Sequence, residues 1–258
     1  MLLLAMTSTG WSCRAEGDGA TARPDATGAA PPLPNDWGGL DVARVDRMRE
    51  DERGGVAIVL LHGWGARGED LVPLARLLAR PGVRFFVPAA PLAEVGGGRA
   101  WWHLEAADRP LHACDGEVPN DFRPSAPLAA ARATVQTVLR TVRARYAPDE
   151  LVVGGFSQGG MLSLDVALAA DPPVDRVAVL SGSLLADSLA GFRVERPRPP
   201  RVFVSHGRYD PRLPFDGARK AKDTLERHGF AVTWHPFEGE HEIPVGVVQH
   251  LKEFLFAT

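Results

Sequence analysis

Ser157 stands in the run Gly155-Phe156-Ser157-Gln158-Gly159-Gly160, behind the apolar stretch Leu151-Val152-Val153 and ahead of Met161-Leu162-Ser163-Leu164. A short apolar strand, a glycine-flanked serine and then a helix make the G-x-S-x-G nucleophile elbow, in which a strained turn lifts the hydroxyl above a sheet. Gly155 and Gly159 suit that turn because a Cβ at either position would crowd it. A serine attacks an acyl carbon when a base takes its proton, and the base needs an acid to orient it. Both partners occur later in the chain. Asp210 lies in Ser205-His206-Gly207-Arg208-Tyr209-Asp210-Pro211, beyond the strand-like Arg201–Ser205. His241 lies in Glu238-Gly239-Glu240-His241-Glu242, beyond the strand-like Val232–His235. The chemistry these types suit is acyl transfer through a covalent acyl-serine.

Each assignment has a rival. Asp210 also suits a turn cap ahead of Pro211, and Asp187 and Asp216 are reserve acids. His228 and His235 compete as the base. His228 falls at a helix end, where it complements the dipole, and His235 falls within a strand. An oxyanion needs two preorganised N–H groups. The amide of Gln158 is one candidate and that of Trp64, in His62-Gly63-Trp64-Gly65, is the other. For the His62 side chain the reading is structural: a hydrogen bond that shapes this loop.

These residues need a scaffold that gathers distant loops at one edge. Val56–Leu61 is a fully apolar run of strand length, as expected of a central strand buried on both faces. Asp70–Arg80 places Leu71, Leu74, Leu77 and Leu78 at the spacing of an amphipathic helix. The spacing predicts further strands over Val42–Met48, Val83–Val87, Leu151–Gly154, Val174–Leu180, Arg201–Ser205 and Ala231–Pro236. It predicts helices over Leu128–Tyr146, Gln158–Ala170, Phe215–His228 and Val245–Phe256. Alternation of this kind argues an α/β fold, a mostly parallel central sheet with helices on both faces. Residues 88–127 read as one long irregular stretch, and loop 103–126 as a lid, a wall of the site or a passive surface.

The chain of 258 residues is 45% hydrophobic and 24% charged, enough for one domain with a large core. A net charge of −3 gives no general attraction to nucleic acid. The densest basic stretch, Arg193–Arg201, is broken by prolines and reads as a loop. Two cysteines, Cys13 and Cys114, make no disulfide framework and no zinc or redox spacing. Residues 1–13 read as an export leader and 14–35 as a flexible Ala/Gly/Pro-rich spacer, with the folded domain over 36–258. The leader resembles that of a bacterial lipoprotein, which makes Cys13 a candidate lipid anchor and favours the cell envelope. No Lys or Arg precedes its apolar stretch, so a disordered tail on a cytoplasmic enzyme is the alternative.

Four blocks together resemble the phospholipase/carboxylesterase family of α/β-hydrolases, which includes the acyl-protein thioesterases. They are Leu60–Gly65, Gly154–Met161, Ser205–Asp210 and Gly239–Ile243, and the likeness spans roughly residues 55–256. The resemblance implies the α/β-hydrolase fold and a serine hydrolase of carboxylic esters or thioesters, with neither cofactor nor metal. It carries the catalytic triad onto Ser157, Asp210 and His241, and the oxyanion amides onto Trp64 and Gln158. Gly98-Arg99-Ala100-Trp101-Trp102 resembles a segment that lies near the acyl site in bacterial members. Trp101, Trp102 and Phe156 are therefore expected to bind substrate, although adjacent residues of an extended chain point opposite ways. Trp64 replaces a smaller aliphatic residue, which implies a narrowed acyl pocket. The expected partner is a small-molecule or lipid-like ester. A carboxylesterase is the first reading. A thioesterase or lysophospholipase, a feruloyl or acetyl-xylan esterase, and a non-catalytic binder on the same scaffold are its rivals.

Overall fold

The computed structural model describes residues 37–49, 51–107, 109–113, 124–195 and 198–256. The expected leader, spacer and Cys13 lie outside the described residues, as do Cys114 and, within loop 103–126, residues 108 and 114–123. Nine strands and five α-helices are seen among the described residues. In chain order these are β1 Val42–Asp46, β2 Val56–Leu61, α1 Val72–Leu78, β3 Val83–Pro88, β4 Leu92–Ala93, β5 Arg99–Ala100, α2 Ala126–Tyr146 and β6 Glu150–Phe156. Then follow α3 Gln158–Ala169, β7 Arg176–Leu180, β8 Arg201–Gly207, α4 Phe215–Arg227, β9 Val232–Phe237 and α5 Val245–Phe256. A 3-10 helix at Asp187–Arg193 sits between β7 and β8.

Seven strands form one sheet in the order β1-β3-β2-β6-β7-β8-β9. Every pairing in it is parallel except β1 with β3. This is the mostly parallel sheet expected from the alternating pattern, and the α/β-hydrolase fold that the resemblance implies. The chain leaves β2 toward β3 on one side and returns as β6 on the other. The reversal opens a crevice beyond the carboxyl ends of β2 and β6, where ligands bind in sheets of this kind. Register places Leu61 of β2 beside Gly155 of β6, just before Ser157.

The strand alternation feeds two cores. Ala57, Val59 and Leu61 face one layer, with Leu128, Val135 and Leu139 of α2, Leu162 of α3 and Leu225 of α4. Ile58 and Leu60 face the other, with Leu74 and Leu78 of α1 and Leu251 and Phe254 of α5. Burial on both faces is what removes polar residues from β2 and gives its continuous apolar run.

Two boundaries differ from the sequence reading in ways that matter to the site. The stretch 88–127 is not irregular throughout: β4 and β5 pair antiparallel, Leu92 with Ala100 and Ala93 with Arg99. Strands of two residues carry no periodicity to detect, although Gly96 and Gly97 both take positive φ in the turn between them. Helix α1 starts at Val72, so Asp70 stands outside it and accepts a hydrogen bond from the Arg67 amide at 3.1 Å. Among the described residues no helix is long and apolar enough to cross a membrane.

Candidate active site

Ser157 follows the last residue of β6 and precedes the first of α3, with φ +54° and ψ −119°. Positive φ is costly for any residue bearing a Cβ and persists only where the surroundings enforce it. The surroundings here are the two glycines. A Cβ on Gly155 would stand 2.5 Å from the Leu61 carbonyl oxygen, and a Cβ on Gly159 closer still. The turn is thus pressed against the end of β2. The Ser157 amide donates to the Leu180 carbonyl at 2.9 Å, which ties the turn to β7 as well.

Four loops meet beyond this edge of the sheet. The loop after β8 brings Asp210, 7% exposed, and the loop after β9 brings His241. Nδ1 of His241 lies 2.6 Å from Oδ2 of Asp210. The other carboxylate oxygen, Oδ1, accepts from the amides of Arg212 at 2.8 Å and Leu213 at 2.9 Å. Asp210 thus caps its own turn with one oxygen and meets a histidine with the other. The Phe156 ring packs on His241 with centroids 4.8 Å apart. Ser157 and His241 both line one cavity of about 730 Å³.

The loop after β2 is the fourth. His62 is fully buried. Its Nε2 accepts from the Ala90 amide at 3.0 Å, and its Nδ1 lies 2.8 Å from the Gly63 carbonyl. One nitrogen accepts and the other must donate, so the ring is neutral; burial pushes its pKa down, against the pull of the Gly63 carbonyl. This is the structural role that the sequence suggested. A Cβ on Gly63 would stand 3.3 Å from Cβ of Ser157, so the loop lies directly over the serine. Strand β5 holds it from the far side, through Gly65 N to Arg99 O and Arg99 N to Ala66 O, both 2.9 Å.

Gln158 works through its side chain as well as its position at the head of α3. Its Oε1 accepts from the Trp101 amide at 2.9 Å and its Nε2 donates to the Trp102 carbonyl at 2.8 Å. One buried amide thus satisfies two backbone groups of the segment after β5.

The chain belongs to the phospholipase/carboxylesterase family. The family model matches residues 44–258, most of the chain and all four site loops. Members are hydrolases of ester or thioester bonds, and so is this chain. Acyl-protein thioesterase 1 of Mycosarcoma maydis is 29% identical over 180 residues, 66% of this chain and 75% of that protein. In structure, the esterase PE8 aligns at a TM-score of 0.67 with 24% identity, over 84% of this chain and 97% of the other. Zea mays acyl-protein thioesterase 2 aligns at 0.61 with 20% identity, over 83% and 97%. Identities this low speak for the fold alone.

Within this phospholipase/carboxylesterase scaffold, the rival residues fall elsewhere. His228 caps its own helix, with Nδ1 at 2.8 Å from the Thr224 carbonyl, and stacks on Phe192. His235 stacks on His250 with centroids 3.9 Å apart. Asp187 accepts from the Ser125 amide at 2.6 Å, and Asp216 pairs with Arg219 and Lys220 on α4.

The three aromatic residues expected at the substrate divide. Phe156 and Trp102 line the cavity; Trp101 does not. The Trp101 indole turns inward and donates to the His62 carbonyl at 3.0 Å, filling the core behind the loop. Both indoles are buried in the same core, and only Trp102 also borders the cavity. Trp64 lines the mouth, and its indole N–H reaches Glu94 at 3.1 Å, which also meets His103 at 2.7 Å.

The sequence reading missed the apolar wall. Leu71, Leu74 and Leu77 at α1, with Val245 and Val248 of α5, line the cavity. Their stripes read as core faces, and α1 and α5 do bury part of them. The exposure is on the outer turns: Leu77 is 59% and Val245 57% exposed. His112 was also missed. It lines the cavity with Nδ1 at 2.6 Å from the Ser183 hydroxyl, and burial pushes its pKa down. No periodicity marks a histidine in an irregular loop. Among the described residues no group of three or more His, Cys, Asp or Glu is arranged to hold a metal ion.

Proposed function

We propose that this chain is a serine carboxylesterase in which Ser157 is the nucleophile, His241 the base and Asp210 the acid. The observation that carries the reading is the 2.6 Å contact of a buried Asp210 with His241 in the cavity that holds Ser157. With Asp210 on Nδ1, the other ring nitrogen is left to take the serine proton. Ser157 then attacks the ester carbonyl, and the negative oxygen is held by the amides of Trp64 and Gln158. The first lies in the loop packed over the serine; the second is the first amide of α3, where the helix dipole favours negative charge. His241 returns the proton to the departing alcohol, activates water, and the acid leaves. Asp210 stabilises the imidazolium without itself taking the proton.

The substrate's acyl part is apolar. Five of the eight large exposed hydrophobic residues among those described, Trp64, Leu77, Leu104, Leu111 and Val245, ring this cavity. Exposed apolar surface gathered at one mouth marks a binding site. A thioester substrate is the second reading, favoured by the acyl-protein thioesterases among the relatives; the same constellation serves both bonds.

The test is hydrolysis of p-nitrophenyl esters from acetyl to palmitoyl, and of acyl thioesters, beside Ser157→Ala. Serine-dependent turnover with labelling of Ser157 by a fluorophosphonate is the expected result. A folded Ser157→Ala protein that turns over as fast as the parent overturns the assignment. A chain that hydrolyses nothing and takes no fluorophosphonate is the non-catalytic binder.

A further inference from the structure

Two arginines, Arg109 and Arg212, line the cavity that holds Ser157, and both are exposed. Among the described residues neither guanidinium makes an ion pair, a side-chain hydrogen bond or a ring contact. Other arginines of the chain do pair, Arg132 with Asp165, Arg176 with Glu150 and Arg208 with Glu238. Arg212 is rooted at the reacting centre. Its amide donates to Oδ1 of Asp210 at 2.8 Å, and Oδ2 of that carboxylate meets His241. Arg109 stands near His112, whose pKa is lowered first by burial and then by the Arg109 charge. His112 is fixed in turn by the Ser183 hydroxyl at 2.6 Å.

The charges around the cavity are sorted by layer. Leu213, beside Arg212, and Leu185, which bridges to His112, pack in the core that holds Leu128 of α2 and Leu162 of α3. Two carboxylates, Asp70 and Glu242, line the cavity as well. Their neighbours Leu71 and Ile243 pack in the other core, with α1 and α5. Asp70 accepts from the Arg67 amide at 3.1 Å and Glu242 from the Glu240 amide at 3.4 Å. The cations therefore belong to the layer opposite the apolar wall, and the anions to the layer of that wall.

From this arrangement we infer that the cavity takes an ester whose leaving group carries an anion, a carboxylate or a phosphate, and that Arg109 and Arg212 bind it. The inference rests on the catalytic reading of Ser157 and His241. The acyl and alkoxy halves of an ester diverge from the carbonyl carbon that Ser157 attacks. With the acyl chain on the wall of α1 and α5, the alkoxy half lies toward the other layer. His241 has to reach the departing oxygen to protonate it, which keeps that half beside the turn of Asp210 and Arg212. A guanidinium meets carboxylate or phosphate oxygens with parallel N–H groups. Unpaired cations on a cavity wall raise the local concentration of anions. The contact is the same in the ground state and the transition state, so it tightens binding and leaves the chemical step alone.

The test uses esters that share one acyl chain and differ at one position of a phenolic leaving group: a meta-carboxylate, a meta-phosphate or a neutral meta-carboxamide. The carboxamide is nearly isosteric with the carboxylate, so the pair isolates charge. At least one anionic ester is expected to exceed the carboxamide by about 10-fold in kcat/KM, with the gain in KM. The better of the two identifies the anion. Because both arginines are exposed, raising the salt from about 0.05 to 0.5 M should erode the gain. Arg109→Gln and Arg212→Gln should each reduce it, and the double variant should bring the ratio to about one. A carboxylate moved to the far end of the acyl chain should bring no gain. Arg47, exposed after β1 and not lining the cavity, supplies the control, and Arg47→Gln should keep the ratio.

Anionic and neutral esters turned over alike by the parent, and not at all by Ser157→Ala, overturn the inference and leave the esterase standing. A gain that survives the double variant overturns it too, because the anion is then held elsewhere. An equal gain from the acyl-end carboxylate overturns the assignment of sides and the inference with it. Turnover that persists in Ser157→Ala is a failure of the reading of the site itself.

Discussion

The carbonyl oxygen of Leu61 lies 2.0 Å from where a Cβ on Gly159 would stand. This is how β2 and α3 come close enough for the loop after β2 to lie over Ser157. The obstacle is backbone on both sides, so no side-chain rotation relieves it. Gly159→Ala should therefore destabilise the fold by more than about 2 kcal/mol, at the upper range of overpacking substitutions. Gly217 on α4 meets nothing within 4 Å, and there Ala should add up to about 1 kcal/mol through helix propensity. Thermal melts of the two variants beside the parent check the contrast. Equal shifts would mean the turn is looser than its geometry.

The strain at Ser157 has a thermodynamic signature of its own. A φ of +54° costs a residue with a Cβ about 1–3 kcal/mol and costs glycine almost nothing. Ser157→Gly should melt higher than the parent and hydrolyse nothing; Ser157→Ala should hydrolyse nothing and gain no such stability. An activity assay and two melting curves settle both halves. A Ser157→Gly protein less stable than the parent would place the cost elsewhere, in lost contacts of the hydroxyl.

Much of this was legible because chemistry and backbone geometry coincide at the elbow. Gly155, Ser157 and Gly159 announce themselves by type, and the runs of β2, β6 and β8 by burial on both faces. Chain order then puts Asp210 and His241 at the same sheet edge. What the sequence does not carry is direction. Trp101 and Trp102 are equivalent as letters and both are buried in one core, yet only Trp102 borders the cavity, in a segment that Gln158 holds by its side-chain amide. Leu74 and Leu77 lie on one stripe of α1, but only Leu74 is buried there, because the helix ends beside an open cavity. The 2.6 Å contact of His241 with Asp210 needs distances of about an ångström's precision, finer than any periodicity conveys.

Asp210→Asn isolates the charge of the acid from its role in the turn. An Asn carbonyl can still accept from Arg212 and Leu213, so the loop and the stability should survive. The amide that replaces Oδ2 donates where it should accept, and His241 is then held in the wrong tautomer. A loss of about 10⁴ in kcat with little change in melting temperature is expected. Asp210→Ala gives up the turn contacts too, and should cost stability that Asp210→Asn does not. Comparable melting temperatures for the two would mean the turn does not depend on Oδ1.

Acid should weaken the fold in a window set by histidines. Burial lowers the pKa of His62, His112, His206 and, less deeply, His235, each below the ordinary value of 6.5. A lowered histidine pKa means that the unfolded chain binds protons the folded chain refuses. Stability from these groups is complete above pH 6.5 and declines as pH falls below it toward the folded values. Carboxylates titrate lower, near 4, so the interval from about pH 5 to 6.5 belongs to the histidines. Melting temperature should be level from pH 8 to 7 and fall through that interval. A flat profile would mean that these rings do not stay neutral in the fold.

The apolar wall predicts how the acyl chain is read. Val248 on α5 lines the cavity and is only partly buried, so a larger side chain there finds room without breaking the core. Val248→Trp should shorten the space left to the acyl chain. Each methylene that loses its pocket carries roughly a 10-fold or greater effect on kcat/KM. Octanoyl and longer esters should therefore lose at least about 10-fold while the acetyl ester is nearly unchanged. Val95 supplies the control. It is fully exposed on the hairpin between β4 and β5 but does not line the cavity, and Val95→Trp should leave chain-length preference alone. A uniform loss across all chain lengths in Val248→Trp would mean that α5 shapes the reacting centre and not the acyl site.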